Sequence, residues 1–275
     1  MKNSFITRWH EVRERKQSNI VAGLDPAVFG MGRGDTGLPE EADLLEWALA
    51  FIEAVAPFVS MIKPNQAYFQ GVEQRQILKT IVEKIHSKDL LALSDNKIAD
   101  IGSTNASWIF YNKELGFDAM TCAPYAGNIE EAIREAHAQN IGMMSMGLMS
   151  NTEYKTEMNY IDADTGEQLW KSRVRRACEA RADAIVVGGT YTKSDPEFME
   201  FVELTNESEA LYLIPGIGAQ GGTVENFLAS GIDPRKCMIN SGRRVMFPNG
   251  SASKPEEQAI AAKALRDSFN NSVKK

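Results

Sequence analysis

Cysteine and histidine are both scarce in this chain of 275 residues, with three of each. Cys122, Cys178 and Cys237 are far apart. An odd, scattered set makes no disulfide framework and lacks zinc-like spacing. The expectation is therefore reduced thiols, mostly buried, in a cytoplasmic protein. His10, His86 and His137 are equally dispersed, in stretches with helical patterning. They read as structural or surface residues, and neither a metal nor a cofactor is expected. No apolar run approaches the ~20 residues needed to span a bilayer, so no membrane partner is expected. Met1–Lys16 carries Arg8, His10, Arg13 and Arg15 but no apolar centre, so it is not expected to be a secretory signal. An excess of positive charge is also missing. The formal net charge is −7, which argues against nucleic acid as a partner, since phosphate backbones need basic stripes. A phosphorylated substrate would have to be held by a few local cations. No linker rich in Pro or Ser and no short-period repeat divides the chain, so residues 1–275 are expected to form one domain.

What is present is a soluble-protein composition, 43% hydrophobic and 24% charged, in which short apolar runs alternate with amphipathic stretches. The runs are Ile20–Leu24, Phe58–Ile62, Leu90–Leu93, Ala119–Ala123, Ile141–Leu148, Ala184–Val187, Leu211–Ile214 and Cys237–Ile239. Short continuous apolar runs suit parallel strands buried on both faces. Between them lie helical patterns. Glu40–Val55 repeats apolar residues at helical spacing, Asn128 offers a cap for a helix to Ala138, and Pro255 with Glu256 and Glu257 opens another. Eight strand–helix alternations predict a (β/α)8 barrel, with an open doubly wound sheet as the alternative. Phe29–Pro39 and Asn151–Trp170 read as longer loops on the face where the strands end.

Ionisable residues gather at predicted strand ends. Asp25 follows the first run, Lys63 the second, and Asp95 and Lys97 the third. Strand alternation puts Asp95 and Lys97 on the same side as Leu91 and Leu93 while the chain stays extended. A core-facing stripe thus turns charged where barrel enzymes keep their catalytic groups. Charges of both signs at one mouth can pair, which removes most of the cost of burying them. Pro215–Gly222 and Asn240-Ser241-Gly242-Arg243 follow the last two runs, the position where barrels often bind phosphate. Glycines there let backbone N–H groups approach an anion, and Arg243 adds a cationic fork.

The run Asp95-Asn96-Lys97-Ile98-Ala99-Asp100-Ile101 resembles the Asp-x-Lys-x-x-Asp-Ile signature of the orotidine 5′-monophosphate decarboxylase family. Leu24-Asp25, Ile62-Lys63-Pro64, Pro124-Tyr125, Met149-Ser150-Asn151, Val187–Thr190, Pro215–Gly222 and Gly242-Arg243 fall in the family's order. Length and the first-loop insertion resemble its longer bacterial subgroup, although Ile98-Ala99 stands where that subgroup usually has Arg-Gly. The resemblance implies a decarboxylase of pyrimidine biosynthesis that acts on a small-molecule nucleotide without a cofactor. It implies that Asp25 and Lys63 bind the ribose and that Lys63, Asp95, Lys97 and Asp100 form a charged chain with Lys97 as proton donor. Ser150 would bind the pyrimidine, and Gln220, Gly242 and Arg243 the phosphate. Asp100 and Thr104 would enter the neighbouring subunit's site, making a homodimer with shared active sites. The alternative is a magnesium-dependent sugar-phosphate decarboxylase or aldolase of the same barrel superfamily. A non-catalytic nucleotide-binding barrel would have no need of the charged run.

Overall fold

A computed structural model describes residues 4–71, 73–149, 151, 153–158, 160–217 and 222–274. Eight parallel strands close into a barrel in sequence order: β1 (Ile20–Leu24), β2 (Met61–Pro64), β3 (Leu91–Ile98), β4 (Ala119–Cys122), β5 (Gly142–Leu148), β6 (Ala184–Val187), β7 (Leu211–Pro215) and β8 (Cys237–Ser241), with β8 pairing back onto β1. The helices are α1 (Phe5–Lys16), α2 (Leu44–Val55), α3 (Gln74–His86), α4 (Gly102–Leu115), α5 (Ile129–Ala138), α6 (Tyr154–Met158), α7 (Leu169–Glu179), α8 (Pro196–Thr205), α9 (Val224–Leu228), α10 (Arg243–Met246) and α11 (Pro255–Val273). The closed barrel, rather than the open sheet, is the architecture.

Element boundaries differ from the sequence expectation where polar groups decide them. β2 starts at Met61 instead of Phe58 and carries Lys63 within it. β3 runs on past Leu93 through the charged residues to Ile98. α2 starts at Leu44, not Glu40, because the Asp43 carboxylate accepts the Glu46 N–H at 2.7 Å and caps the helix there. Asn128 precedes α5 as expected but does not cap it. Its side-chain amide instead donates to the Asp100 carbonyl at 3.1 Å. Pro255 does open α11, where the Glu257 carboxylate accepts the Lys254 N–H at 2.7 Å.

Strand alternation separates two cores. One face of the strands packs against the surrounding helices, through residues such as Ile20, Ile62, Ala92, Met120, Ile185, Ile214 and Ile239. The other face fills the barrel interior with Val21, Met61, Leu91, Leu93, Ala119, Met144, Ala184, Leu211 and Met238. α1 lies across the end where the strands begin and drives Phe5, Trp9 and Val12 into this interior cluster. Gly142 permits that approach, since a Cβ there would sit 2.6 Å from the Phe5 ring. One end of the barrel is therefore plugged, and chemistry is left to the other.

The plugged end carries a repeated polar clasp. Asp118 and Asp183 immediately precede β4 and β6. The Asp118 carboxylate accepts the Ala92 N–H at 2.8 Å and bonds His86 at 2.9 Å. Asp183 accepts the Met143 N–H at 2.8 Å and bonds His137 at 2.8 Å. Arg8 of α1 also pairs with Asp118. These histidines join helix ends to strand starts, which is a structural use.

Candidate active site

The open end is divided chemically. The interior-facing stripes of β1, β2, β3, β4 and β8 end in Asp25, Lys63, Asp95, Thr121 and Asn240, whereas those of β5, β6 and β7 end in apolar Met146, Val186 and Leu213. A cavity of about 290 Å³ sits between the halves, with Lys63, Asp95, Lys97, Thr121 and Asn240 on one wall and Met146, Val186 and Leu213 on the other. Such a cavity can hold a flat ring against the apolar side while charges act from the polar side.

The polar wall rests on an irregularity in β3. Ser94 pairs with Met120 and Ile98 with Cys122, so three residues of β3 (Asp95, Asn96 and Lys97) stand opposite Thr121 alone. The bulge places Lys97 in the left-handed backbone region, at a φ of +47°, which is uncommon for a residue with a side chain and typical of functional sites. The Thr121 hydroxyl fills the gap. It accepts the N–H groups of Asn96 at 3.1 Å and Lys97 at 2.9 Å, and donates to Asp95 Oδ1 at 3.3 Å.

Within this frame Asp95 bridges two lysines. Its Oδ2 takes the Lys63 ammonium, and its Oδ1 takes Lys97 Nζ at 2.5 Å. Lys63 and Asp95 are buried, while Lys97 reaches outward into the cavity with its side chain 45% exposed. Burial alone pushes the Asp95 carboxyl up, but Lys63 and Lys97 outweigh it and hold the group at about 2. Burial likewise works against the charge on Lys63, but Asp95 and Asp25 overcome it and raise its pKa. Lys63 and Asp95 thus form a buried ion pair, and Lys97 takes the other carboxylate oxygen. Asp25 is close enough to contribute, and its Oδ1 is buried with no hydrogen-bond partner among the described residues. Asn240 Oδ1 is in the same condition. Unmet acceptors beside a polar cavity suit a ligand bearing hydroxyl or N–H donors.

The loops behind β5, β6 and β7 are tied into the rim. Tyr154 and Tyr191 donate their hydroxyls to the carbonyls of Gly147 at 2.7 Å and Met149 at 2.8 Å. Gly188 N–H bonds Leu148 O at 2.8 Å, and Gly189 N–H bonds Pro215 O at 2.7 Å. Gly222 packs against Gly189 so tightly that a Cβ would meet its carbonyl at 2.1 Å. Gly242 lies beside Gly23 and Asp25 at the β1–β8 seam. Arg243 is exposed at the start of α10. Arg244 turns to the outside, lining a groove of about 640 Å³ with Gly222, Thr223, Asn249 and Glu257. Ser150 and Gln220 lie outside the described residues. The expected first loop forms two short 3-10 turns around Phe29–Thr36, and none of 29–39 lines the mouth cavity.

Asp100 and Thr104 are not brought into this cavity by their own chain. Asp100 follows β3 and is exposed. Its backbone is clamped by buried Asn105, whose side chain accepts the Asp100 N–H at 3.2 Å and donates to its carbonyl at 2.6 Å. α4, which carries Thr104, has apolar side chains on its outer as well as its inner face. Asn105, Ile109, Asn112 and Leu115 are buried, while Trp108, Phe110 and Tyr111 are 43%, 49% and 47% exposed. Sequence reasoning missed Thr121 and Asn105. Thr121 shares the interior parity of Ala119, and that parity was the available signal. Nothing in the sequence marked Asn105.

These features define a (β/α)8 barrel whose ionisable cluster lies at the end where such barrels carry active sites. The chain belongs to the Orotidine 5′-phosphate decarboxylase / HUMPS family, whose model matches residues 18–257. It is 27% identical over 274 residues to the orotidine 5′-phosphate decarboxylase of Christiangramia forsetii, covering 95% of this chain and 96% of the relative. It is 29% identical over 279 residues to that of Thermomicrobium roseum, covering 97% and 95%. The structure of Leishmania donovani OMP decarboxylase superposes with a TM-score of 0.76 at 22% identity, covering 99% and 100% of the two chains, a likeness of fold.

Proposed function

We propose that this chain decarboxylates orotidine 5′-monophosphate to uridine 5′-monophosphate and CO2 in pyrimidine biosynthesis. The observation that carries the reading is the Asp95 carboxylate held between buried Lys63 and outward-reaching Lys97. Breaking the bond from carbon 6 to the carboxylate leaves its electron pair on carbon 6. The Lys97 ammonium stabilises that charge and then donates a proton to it, restoring a neutral C–H. A preorganised cation is well suited to this, because it needs no rearrangement as the charge develops. Asp95 holds Lys97 in place and faces the departing carboxylate. Asp25 and Lys63 take the ribose hydroxyls, which supply donors to the unmet Asp25 oxygen. Ser150 contacts the pyrimidine, and Gln220, Gly242 and Arg243 bind the phosphate.

The active unit is a homodimer in a cytoplasmic setting, with Asp100 and Thr104 completing the partner's site. The exposed aromatic residues of α4 support this. A helix with Trp108, Phe110 and Tyr111 outward gains from being covered, and Asp100, whose backbone carbonyl is held by Asn105 and Asn128, does not line its own cavity. No nucleic acid or membrane partner is part of the reading. Among the described residues no helix is long and apolar enough to cross a membrane.

The test is the absorbance change of orotidine 5′-monophosphate with enzyme in excess chelator. Full turnover is expected. No change at high enzyme concentration contradicts the decarboxylation, and strict magnesium dependence favours the sugar-phosphate alternative.

A further inference from the structure

We infer that Thr121 is a positioning residue for the decarboxylation proposed above: its hydroxyl clips the β3 bulge and so sets where Lys97 and Asp95 point. The inference rests on that reading of the site and adds a part that the charged signature does not contain.

Where three residues oppose one, the ordinary strand ladder cannot satisfy every N–H. The N–H groups of Asn96 and Lys97 both turn to one acceptor, Thr121 Oγ1. An oxygen accepting two bonds still has its own proton to place, and that proton goes to Asp95 Oδ1 at 3.3 Å. The same Oδ1 takes Lys97 Nζ at 2.5 Å. One hydroxyl therefore touches the backbone of Lys97 and the carboxylate that receives the tip of its side chain. Thr121 is itself only 2% exposed and stands on β4, a neighbouring strand with a regular register to β5. Its branched Cβ restricts rotation, so the oxygen cannot swing away cheaply.

Without the clip, two part-buried N–H groups lose their partner and the left-handed turn at Lys97 loses its anchor. The charges remain, but their aim relaxes. Lys97 must meet one carbon of the substrate, and a displacement of about 1 Å is enough to cost ~100-fold in rate. Substrate binding depends chiefly on groups elsewhere, so the loss should fall on kcat rather than KM.

Thr121→Val preserves the shape and removes the hydroxyl. Thr121→Ser keeps the hydroxyl and drops a methyl. Steady-state kinetics on orotidine 5′-monophosphate should show T121V losing about 10- to 100-fold in kcat, with KM within about threefold of wild type. T121S should stay within about threefold of wild type in kcat. T121V with wild-type kcat overturns the inference, as does a loss confined to KM. T121S decides the matter even where T121V does not fold, because a tenfold or greater loss in kcat by the serine variant also overturns it. Wild-type enzyme in the same assay separates the two levels: an inactive wild type removes the proposed function, whereas an active wild type with an unaffected T121V removes only the clip.

Discussion

Lys97 donates to Asp95 Oδ1 across 2.5 Å although only one residue separates them and the Lys97 backbone stands at a φ of +47°. In a regular strand two such side chains run side by side. Here the bulge turns the lysine back toward the carboxylate, and the same carboxylate holds Lys63 on its other oxygen. The proposed chemistry is built on this pairing.

Lys97→Ala removes both the cation beside carbon 6 and the proton donor. Proton transfer and electrostatic stabilisation each supply roughly 100-fold or more, so kcat should fall by about 10,000-fold or more. Lys97 is partly exposed, and its loss should leave the circular dichroism spectrum close to wild type, with the melting transition lowered only by the share of Asp95 stabilisation that Lys97 supplies. Turnover near wild type in this variant removes Lys97 from the mechanism.

The trio should also shape acid stability. Asp95 has its pKa depressed from 3.8 to about 2. A depressed carboxylate stabilises the fold above its unfolded pKa and stops doing so as pH falls through the folded value. The contribution, roughly 2 kcal/mol, should be complete above pH ~4 and fade toward pH ~2. Urea unfolding of wild type and Asp95→Asn across that window should show the gap between them narrowing as pH drops. A constant gap contradicts the assignment.

Histidine gives the opposite sign at the other end of the barrel. The hydrogen bond from Asp183 raises the His137 pKa above 6.5, outweighing burial. Its contribution is full below 6.5 and is lost as pH rises through the folded value. His137 is 39% exposed, so the effect should stay below about 1 kcal/mol. His137→Gln should therefore cost more stability at pH 6 than at pH 9 in denaturant melts, with kcat unchanged at both. An equal cost at both pH values speaks against a charged clasp.

Arg243 tests the phosphate side. Arg243→Ala should lower kcat/KM much more for orotidine 5′-monophosphate than for orotidine lacking the phosphate, because remote binding energy is spent in the transition state. Equal losses on both substrates contradict a phosphate role.

Much of the barrel was legible in the sequence. Ile20, Ala119, Ala184, Leu211 and Cys237 each begin both an apolar run and a strand, because a strand buried on both faces has to be apolar nearly throughout. The ends were less clear. β3 stays extended through Ser94, Asp95 and Asn96, where hydrophobicity stops but hydrogen bonding continues. Parity placed Asp95 and Lys97 on one side, yet the bulge that makes them meet depends on Thr121, about 25 residues away on another strand. Asn128 shows the same limit. It has the chemistry of a cap but spends its amide on Asp100, a partner that only tertiary structure supplies. Asp100 and Thr104 were assigned by family resemblance alone, and the isolated chain leaves both outside the cavity.

The proposed decarboxylation site is made of Lys63, Asp95 and Lys97 from one chain and Asp100 from the other. It is tested most directly by mixing Lys97→Ala with Asp100→Ala enzyme under conditions that exchange subunits. Each variant alone should be nearly inactive on orotidine 5′-monophosphate. With random exchange half the dimers are mixed, and each mixed dimer holds one intact site of two, so activity should recover to about a quarter of wild type. A mixture no more active than its components, although exchange has occurred, contradicts the shared site.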